Sequence, residues 1–311
     1  MLSESSQAAT CTKFLCGPNS PILGGVPFFQ LDQTGTTPAP EHGFRIVSFS
    51  KGWLPLEVDV EGARLRGRFA RHLVLQGEQL VGANLVLEDE HGLRYRISLE
   101  ERAQLQSYWE DGDDGTLLES WRMTSTPLPN DGGAIPQAIC NIEPDTTSDT
   151  SDDLGHHALI FRGDRYDSET GDVIATGQDA GPWFNIACAG DALAKLLVIR
   201  HAQAAHDAAH PTTREQREAA LRMFRADYCG TGQPNTQLGT PIDWANAGGW
   251  NFLDKSPTLD NVEAIWAEGG AVCVTNPRHI DRDDISCDIP ACTQEQVNNW
   301  QEHGDLITIN P

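Results

Sequence analysis

Apolar and polar residues alternate along the first half of the chain. The pattern is clearest in residues 56–60 and 93–100, where apolar side chains take every second position and most residues between them are charged. A period of two is typical of a strand with one buried and one solvated face. The turn-like run from Asp89 to Gly92 lies directly before the second segment and predicts a hairpin. We therefore expect residues 41–126 to form an antiparallel β domain, either a small sandwich or an open barrel.

A helical pattern replaces this alternation further along the chain. Residues 189–208 are rich in Ala and Leu and predict a first helix, which ends before Pro211. Thr212 with Glu215 has the spacing of a capping box and predicts a second helix that runs to about Ala226. Together the two helices predict a helical hairpin.

Two further capping signatures predict shorter helices. Asp260 with Glu263 predicts a helix that a Gly-Gly pair then stops. Thr293 with Gln296 predicts a short helix through Trp300.

Composition divides the chain into four parts, and the fold class we expect is α+β. An N-terminal antiparallel β sandwich or open barrel is followed by a disulfide-stapled domain with a helical hairpin. The predicted parts are a Cys-containing lead (1–40), the β domain (41–126), an acidic loop or linker (127–157) and the stapled domain (158–311).

The net charge of −23, with a pI of about 4.6, limits the classes of partner. A polyanion such as nucleic acid would be repelled, and an anionic membrane surface would be repelled for the same reason. Acidic clusters at 111–114, 149–153 and 281–284 leave calcium open, although none has EF-hand spacing. We therefore expect no cofactor, with calcium as the alternative.

The N-terminal sequence leaves the mode of export open. No apolar run is long enough to span a bilayer, and residues 1–9 lack the apolar region of a signal peptide. Gln7 to Thr10, directly before Cys11, has the small residues of a lipoprotein cleavage site. This leaves a lipid anchor as a hypothesis.

Cysteine usage predicts the compartment. The chain has an even number of cysteines and no Cys-x-x-Cys motif, which argues against a zinc knuckle or a thioredoxin-type site. Disulfides indicate an extracytoplasmic protein, which is secreted, periplasmic or on the cell surface. All eight are candidate disulfide residues: Cys11, Cys16, Cys140, Cys188, Cys229, Cys273, Cys287 and Cys292.

One run of residues resembles a known family. Residues 225–230 read Arg-Ala-Asp-Tyr-Cys-Gly, and residues 239–243 read Gly-Thr-Pro-Ile-Asp. This sequence resembles the ADYC-domain proteins, which are bacterial and mostly exported. Looser similarities at 184–188 and 270–274 extend the resemblance over roughly residues 60–292. The family has no assigned activity, so the resemblance implies a compartment and no reaction.

The resemblance also bears on the disulfides. The family pattern leads us to expect cysteines at Leu196 and Ala220, where this chain has none, so these two residues should face each other across the hairpin. For the cysteines present, we predict long-range Cys140–Cys188 and Cys229–Cys273 bonds. We predict local Cys11–Cys16 and Cys287–Cys292 loops.

The family motif has a catalytic and a structural interpretation. Asp227, Tyr228 and Cys229 could form a catalytic trio with Cys229 as the nucleophile. However, Cys229 follows the C-terminus of a predicted helix, where the dipole raises the pKa of a thiol. We therefore interpret the motif as structural, with Arg225 beside it, Cys229 oxidised and Asp227 bonded to local backbone.

Histidine clusters are the candidate metal ligands. His206 and His210 share a helix face with metal-ligand spacing, and His201 precedes them, but no His-Glu-x-x-His pattern is present. His156 and His157 follow the acidic tract. We interpret all five as solvated or loop residues and predict no metal site.

Two tryptophans are the candidate ligand-binding residues. Trp244 and Trp250 lie in a Gly- and Asn-rich stretch that could present an exposed stacking platform for a glycan. The leading hypothesis is a non-catalytic secreted or cell-envelope protein that binds or assembles with an extracellular protein or a glycan. The alternative is a secreted hydrolase whose site combines residues distant in sequence. A cleft that gathers His and carboxylate groups would favour the enzyme, and a flat face with exposed Trp would favour binding.

Overall fold

The structure is a computed structural model that describes residues 21–40, 42–70, 72–107, 117–129, 133–140, 156–202, 212–237 and 240–310. The predictions for Cys11, Cys16, His206, His210 and the acidic clusters at 111–114 and 149–153 lie outside these residues. The chain forms two compact units. The first comprises residues 1–106, 116–162 and 182–191, and the second comprises residues 107–115, 163–181 and 192–311.

The described secondary structure is mostly strand, with few helices. The strands are β1 (Ile22–Leu23), β2 (Val26–Pro27), β3 (Gln30–Asp32), β4 (Arg45–Lys51), β5 (Leu54–Glu61), β6 (Arg64–Phe69), β7 (Leu73–Gln76), β8 (Ala83–Glu88), β9 (Arg94–Gln106), β10 (Leu117–Leu128), β11 (Gln137–Ala138), β12 (His157–Phe161), β13 (Arg165–Tyr166), β14 (Val173–Ala175), β15 (Trp183–Cys188), β16 (Asp243–Asn246), β17 (Asn251–Phe252), β18 (Val262–Ala267), β19 (Gly270–Val274) and β20 (Leu306–Ile309). The α-helices are α1 (Ala192–Val198), α2 (Arg214–Arg225) and α3 (Gln294–Asn298), and 3-10 turns lie at Gly77–Leu80, Arg282–Asp284 and Trp300–Glu302.

The first unit is built on one large antiparallel sheet. Its strand order is β3-β15-β12-β10-β9-β8-β4-β5-β6-β7, and β11 also pairs with β10. β3 and β7 are its edges in the described part of the chain, so the sheet is open and is not a closed barrel. Alternation sets the buried face as predicted: Leu56, Val58 and Val60 are buried, and so are Ile97 and Leu99.

The core of the first unit lies where this sheet folds over on itself. Val58 and Leu65 from β5 and β6 enclose a small void together with Ile160 of β12 and Phe184 of β15. β12 begins at residue 157 and β15 lies after it in sequence, yet both strands pair in the first sheet because their apolar residues fill this core.

The second unit has a five-stranded sheet of order β17-β16-β20-β18-β19, with α2 contacting β18, β19 and β20. The predicted helix after Asp260 is wrong, because β18 occupies Val262–Ala267. Every residue from Val262 to Trp266 is buried, so the strand shows no period of two. Glu263 is a buried ion-pair partner rather than a capping residue, and Gly270 begins β19 after a turn.

The helices begin and end differently from the prediction. α1 ends at Val198, because the backbone at Arg200 turns into the left-handed region and the amide of His201 donates to the carbonyl of Leu196 at 2.7 Å. Residues 203–208 lie outside the described part. The capping box of α2 is Thr213 with Gln216, one residue later than predicted.

The remaining helix predictions agree with the structure in part, since α3 ends at Asn298 and Trp300 begins a separate 3-10 turn. α1 and α2 contact each other, and the capping box of Thr293 with Gln296 opens α3 as predicted.

Three disulfides join the six described cysteines. Cys140–Cys188 is confirmed, with Cα atoms 5.4 Å apart. The predicted Cys229–Cys273 and Cys287–Cys292 bonds are wrong: the bonds are Cys229–Cys287 and Cys273–Cys292. Cys273 lies in β19 and packs with Cys292 in the core of the second unit, whereas Cys229 is partly exposed and lies outside this core cluster.

Candidate functional site

A cavity of about 350 Å³ lies within the second unit. We call it the aromatic cavity. Its wall combines residues from α1, α2, β16, β17 and three connecting segments: Lys195, Ile199, Phe224, Thr236, Thr240, Pro241, Ile242, Asp243, Trp244, Phe252 and Arg278. Most of these side chains are apolar, as is usual for a small-molecule site.

Stacked aromatic rings form one side of the cavity. The rings of Trp244 and Phe252 lie 5.4 Å apart and 28° from parallel. Trp250 extends this stack beyond Phe252, at a centroid distance of 6.5 Å. Trp244 is only 6% exposed, so it is a wall of the cavity rather than part of an exposed platform. Phe224 of α2 adds a third ring to the lining, with the Lys195 ammonium 5.8 Å from its centroid.

Asp243 contributes an acceptor to the cavity. It begins β16, directly before Trp244, and its Oδ2 atom is buried with no hydrogen-bond partner in the described part of the chain. A buried carboxylate oxygen without a donor is costly. The Asp243 side chain also lines the cavity, so its carboxylate is the acceptor that a ligand meets there.

Arg278 contributes donors, and its position is fixed from several sides. It is 7% exposed. Its Nε atom donates to Glu263 Oε1 at 2.7 Å, and its Nη2 atom donates to the carbonyl of Met223 at 2.9 Å. Its backbone amide donates to the hydroxyl of Tyr228 at 2.8 Å. The carboxylate of Glu263 is fully buried and compensates the charge of Arg278.

Thr240 and His279 meet at the same cavity. The Thr240 hydroxyl lies 2.6 Å from Nε2 of His279 and 2.8 Å from the carbonyl of Gln237. Thr240 lines the cavity, and His279 is exposed. This contact joins residues from two segments that are far apart in sequence.

His201 lies behind the aromatic wall. Its ring packs edge-on against Trp244 at 5.9 Å. Its Nδ1 atom donates to the carbonyl of Ile199 at 2.7 Å, and its Nε2 atom accepts from the side-chain Nδ2 of Asn246 at 2.9 Å. Burial lowers the pKa of His201 to about 4, so the ring is neutral near pH 7. Because both ring nitrogens form hydrogen bonds with protein groups, we assign His201 a structural role behind the cavity wall.

The residues of the Ala-Asp-Tyr-Cys motif each make a defined contact. Ala226 adopts the left-handed conformation that ends α2. Asp227 is fully buried and accepts from Arg222 at 2.9 Å and from the amide of Gly232 at 2.9 Å. Burial raises the pKa of Asp227. Arg225, which precedes the motif, is buried as well.

The rest of the motif attaches this turn to other parts of the second unit. The Tyr228 hydroxyl donates to Glu263 Oε1 at 2.7 Å, and burial raises its pKa, so it remains a donor. Cys229 is bonded to Cys287, which leaves no thiol at this position. Gly230 has a positive φ, and a Cβ atom there would collide with the carbonyl oxygen of Gly269.

Comparison with known families agrees with this motif. The family model of the ADYC domain matches residues 77–280, about two thirds of the chain. The chain belongs to the ADYC-domain family. The matched range includes every residue that lines the aromatic cavity. No curated protein and no solved structure matches the chain.

The ADYC domain brings some of the predicted site residues together and leaves others apart. Trp244 lines the cavity, and Trp250 stacks on Phe252, which is one of the lining residues. His157 is buried in the first unit, 3.2 Å from Ser120 Oγ. The described residues contain no group of three or more His, Cys, Asp or Glu side chains arranged to hold a metal. No described helix is long and apolar enough to cross a membrane.

Sequence patterns did not identify several cavity residues. Phe224, Phe252 and Arg278 were absent from the predicted site because each lies in a different segment. The Gly-Thr-Pro-Ile-Asp run at 239–243 was the available signal, since its last four residues line the cavity.

Proposed function

We propose that this ADYC-domain protein is a non-catalytic, extracytoplasmic binding protein that takes a short neutral glycan into the aromatic cavity. The proposal rests mainly on one observation. The stacked Trp244 and Phe252 rings share a cavity with the carboxylate of Asp243 and the guanidinium of Arg278.

A sugar matches both features of this wall. Its C–H face is apolar and packs on an aromatic ring, while each hydroxyl both donates and accepts hydrogen bonds. Asp243 accepts, and Lys195 and Arg278 donate. A purely apolar ligand would leave these polar side chains of the wall without hydrogen bonds from the ligand.

Charge favours a neutral ligand over an ionic one. Lys195 and Arg278 carry positive charges, and Asp243 with the Glu263 carboxylate behind Arg278 carries two negative ones. These charges cancel, so neither an anion nor a cation gains net Coulomb energy from them. The volume of about 350 Å³ lies at the lower end of the range for ligand pockets, which suits a ligand of about one or two sugar rings.

The three described disulfides support the compartment. Disulfides form and persist in secreted, periplasmic and cell-surface proteins. A lipid anchor at Cys11 stays a hypothesis of the same proposal.

Titration calorimetry with a panel of neutral mono- and disaccharides tests the binding proposal. We expect binding by the intact protein and an affinity roughly tenfold or more lower for Trp244→Ala and for Asp243→Asn, because each removes one recognition element. Asp243→Asn keeps the side-chain shape, so it separates loss of the acceptor from loss of the fold. Trp53→Ala is the matched control, since Trp53 is 92% exposed and lies in the first unit. Absence of binding to the whole panel at millimolar concentration would refute the proposal.

A hydrolase is the second candidate, and the contact between Thr240 and His279 is the observation that favours it. A hydroxyl beside an imidazole can act as a nucleophile. However, the Thr240 hydroxyl has a single proton and also lies 2.8 Å from the Gln237 carbonyl, which accepts that proton when His279 is the donor. This contact therefore agrees better with a non-catalytic binding protein than with a hydrolase. New reducing ends that appear with the intact protein and disappear with His279→Gln would reverse this ranking.

A further inference from the structure

We propose that Tyr228 of the family motif is the positioning residue for Arg278, so that the motif sets the donor face of the aromatic cavity. The ligand-binding part of this inference rests on the proposed function. Tyr228 itself is not among the cavity-lining residues, and it acts through Arg278.

One hydroxyl fixes Arg278 at two points. The Tyr228 oxygen accepts the backbone amide of Arg278 at 2.8 Å, which fixes the main chain. The Tyr228 hydroxyl donates a hydrogen bond to Oε1 of Glu263 at 2.7 Å. The same carboxylate oxygen accepts a hydrogen bond from Nε of Arg278 at 2.7 Å. The hydroxyl therefore holds both the backbone of Arg278 and the carboxylate that orients its guanidinium.

Tyr228 is itself rigidly placed. Its ring stacks on Trp266 at 5.3 Å, and its carbonyl accepts the amide of Ala271 at 2.8 Å. The preceding residues end α2, and the next residue is bonded to Cys287. These contacts leave the hydroxyl little freedom to follow a displaced Arg278.

Removing the hydroxyl should change where the guanidinium points. Glu263 is fully buried, and its Oε2 atom has no hydrogen-bond partner in the described part of the chain. The carboxylate therefore depends on Tyr228 and Arg278 for its hydrogen bonds. Without Tyr228, the guanidinium must satisfy the carboxylate more fully, because an uncompensated buried charge is strongly unfavourable. We infer that this movement takes its donors away from the cavity.

The substitution Tyr228→Phe tests the inference, with Tyr166→Phe as the matched control. Tyr166 lies in the same unit and is fully buried, and its hydroxyl has no partner in the described part of the chain. Both substitutions remove one buried hydroxyl, but only Tyr228→Phe removes a hydrogen-bond partner of Arg278. In calorimetry with the saccharide that the intact protein binds, we expect Tyr228→Phe to weaken binding about tenfold, the loss expected for one hydrogen bond to a charged network.

A double-mutant cycle separates positioning from general destabilisation. In a chain that already carries Arg278→Ala, Tyr228→Phe should change the affinity less than about twofold, because no guanidinium remains to be positioned. Equal losses in both backgrounds would show a merely structural role and would overturn the inference.

A second measurement requires no ligand. Phenylglyoxal modifies arginine side chains, and peptide mass mapping gives its rate at Arg278. The rate should fall several-fold in Tyr228→Phe, because the guanidinium then turns from the cavity towards Glu263. It should stay unchanged in Tyr166→Phe, which leaves the hydrogen bonds of Arg278 in place. An unchanged rate in both variants overturns the inference. If the intact protein binds no saccharide, the proposed function fails, while this rate still decides whether Tyr228 positions Arg278.

Discussion

The burial of His201 leads us to expect that the stability of the protein depends on pH. The imidazole is fully buried, with Nδ1 donating to a carbonyl and Nε2 accepting from Asn246. Protonation would place a second donor opposite the Asn246 amide, and the charge would have no water around it. The folded protein is therefore more stable with a neutral His201 ring than with a protonated one.

We predict that stability falls as the pH falls from about 6.5 towards about 4. Burial lowers the folded-state pKa of His201 from 6.5 to about 4, so between these values the unfolded chain binds the proton and the folded chain does not. The contribution is fully present above the unfolded pKa and amounts to roughly 3 kcal/mol at most. Urea unfolding at several pH values measures it.

The variant His201→Gln isolates this contribution. Burial raises the pKa of Asp164 and of Asp227, which act in the opposite sense but are common to both proteins. The free energy of unfolding of the variant should depend less on pH in this window. His303→Gln, at an exposed position, should behave like the unsubstituted protein. Identical pH dependence in all three proteins would show that His201 does not carry the effect.

At the scale of elements, the sequence predicted strands with one solvated face and failed where both faces are buried. β5 alternates because the side chains of Glu57 and Asp59 are directed away from the core. β18 has no alternation, since nearly all of its residues are buried. Its Glu263 lies three residues after Asp260, and this spacing led to the wrong prediction of a capping box. The long Ala-rich pattern after residue 189 could not show that α1 ends at Val198, because a left-handed Arg200 has no sequence signal like that of glycine.

α2 shows a second limit of sequence patterns. Arg217, Glu218 and Arg222 are charged, yet all three are buried. Asp164 pairs with Arg217, and the amide of Val173 donates to Glu218 at 2.6 Å. A polar helix face normally indicates solvent, so the partners from residues 163–173 could not be foreseen.

The same limit applies to the candidate site. Trp244 was predicted because it stands in an unusual local sequence, whereas Arg278 has no such signal. Its place in the cavity depends on Tyr228 and Glu263, which lie 50 and 15 residues away in sequence. Only the fold brings these three together.

The helical hairpin carries a prediction of its own. Leu196 and Ala220 are both fully buried, on helices that contact each other. We predict that the double substitution Leu196→Cys with Ala220→Cys oxidises spontaneously and raises the melting temperature, because the Cα atoms should lie within about 7 Å. Non-reducing peptide mapping would detect the new bond. Each single substitution is the control and should not raise the melting temperature. Two free thiols in the double variant would show that these residues do not face each other.

At the scale of the whole molecule, the chain order and the spatial units do not coincide. Composition suggested a boundary near residue 157, but β12 and β15 return to the first sheet, while residues 163–181 between them join the second unit. Cys140–Cys188 connects β15 to the segment after β11 within the first unit. The other two disulfides lie within the second unit.

These three disulfides differ in how easily a reductant can reach them. The sulfurs of Cys140–Cys188 and Cys273–Cys292 belong to buried residues, at most 6% exposed, whereas Cys229 and Cys287 are partly exposed. Exchange requires a thiolate to reach a sulfur atom, so we predict that Cys229–Cys287 is reduced first.

Graded reduction with a dithiol, followed by alkylation and peptide mass mapping, measures this order. Before reduction, none of the six described cysteines should take the label. At low reductant, Cys229 and Cys287 should be labelled together, and the melting temperature should fall, because opening a bond with a sequence separation of 58 removes roughly 2–5 kcal/mol. The variant Cys229→Ser with Cys287→Ser is the control and should show no early label among the described cysteines. Label on Cys140 or Cys273 before Cys229 would mean that local opening, rather than the exposure of the folded protein, determines which bond breaks first.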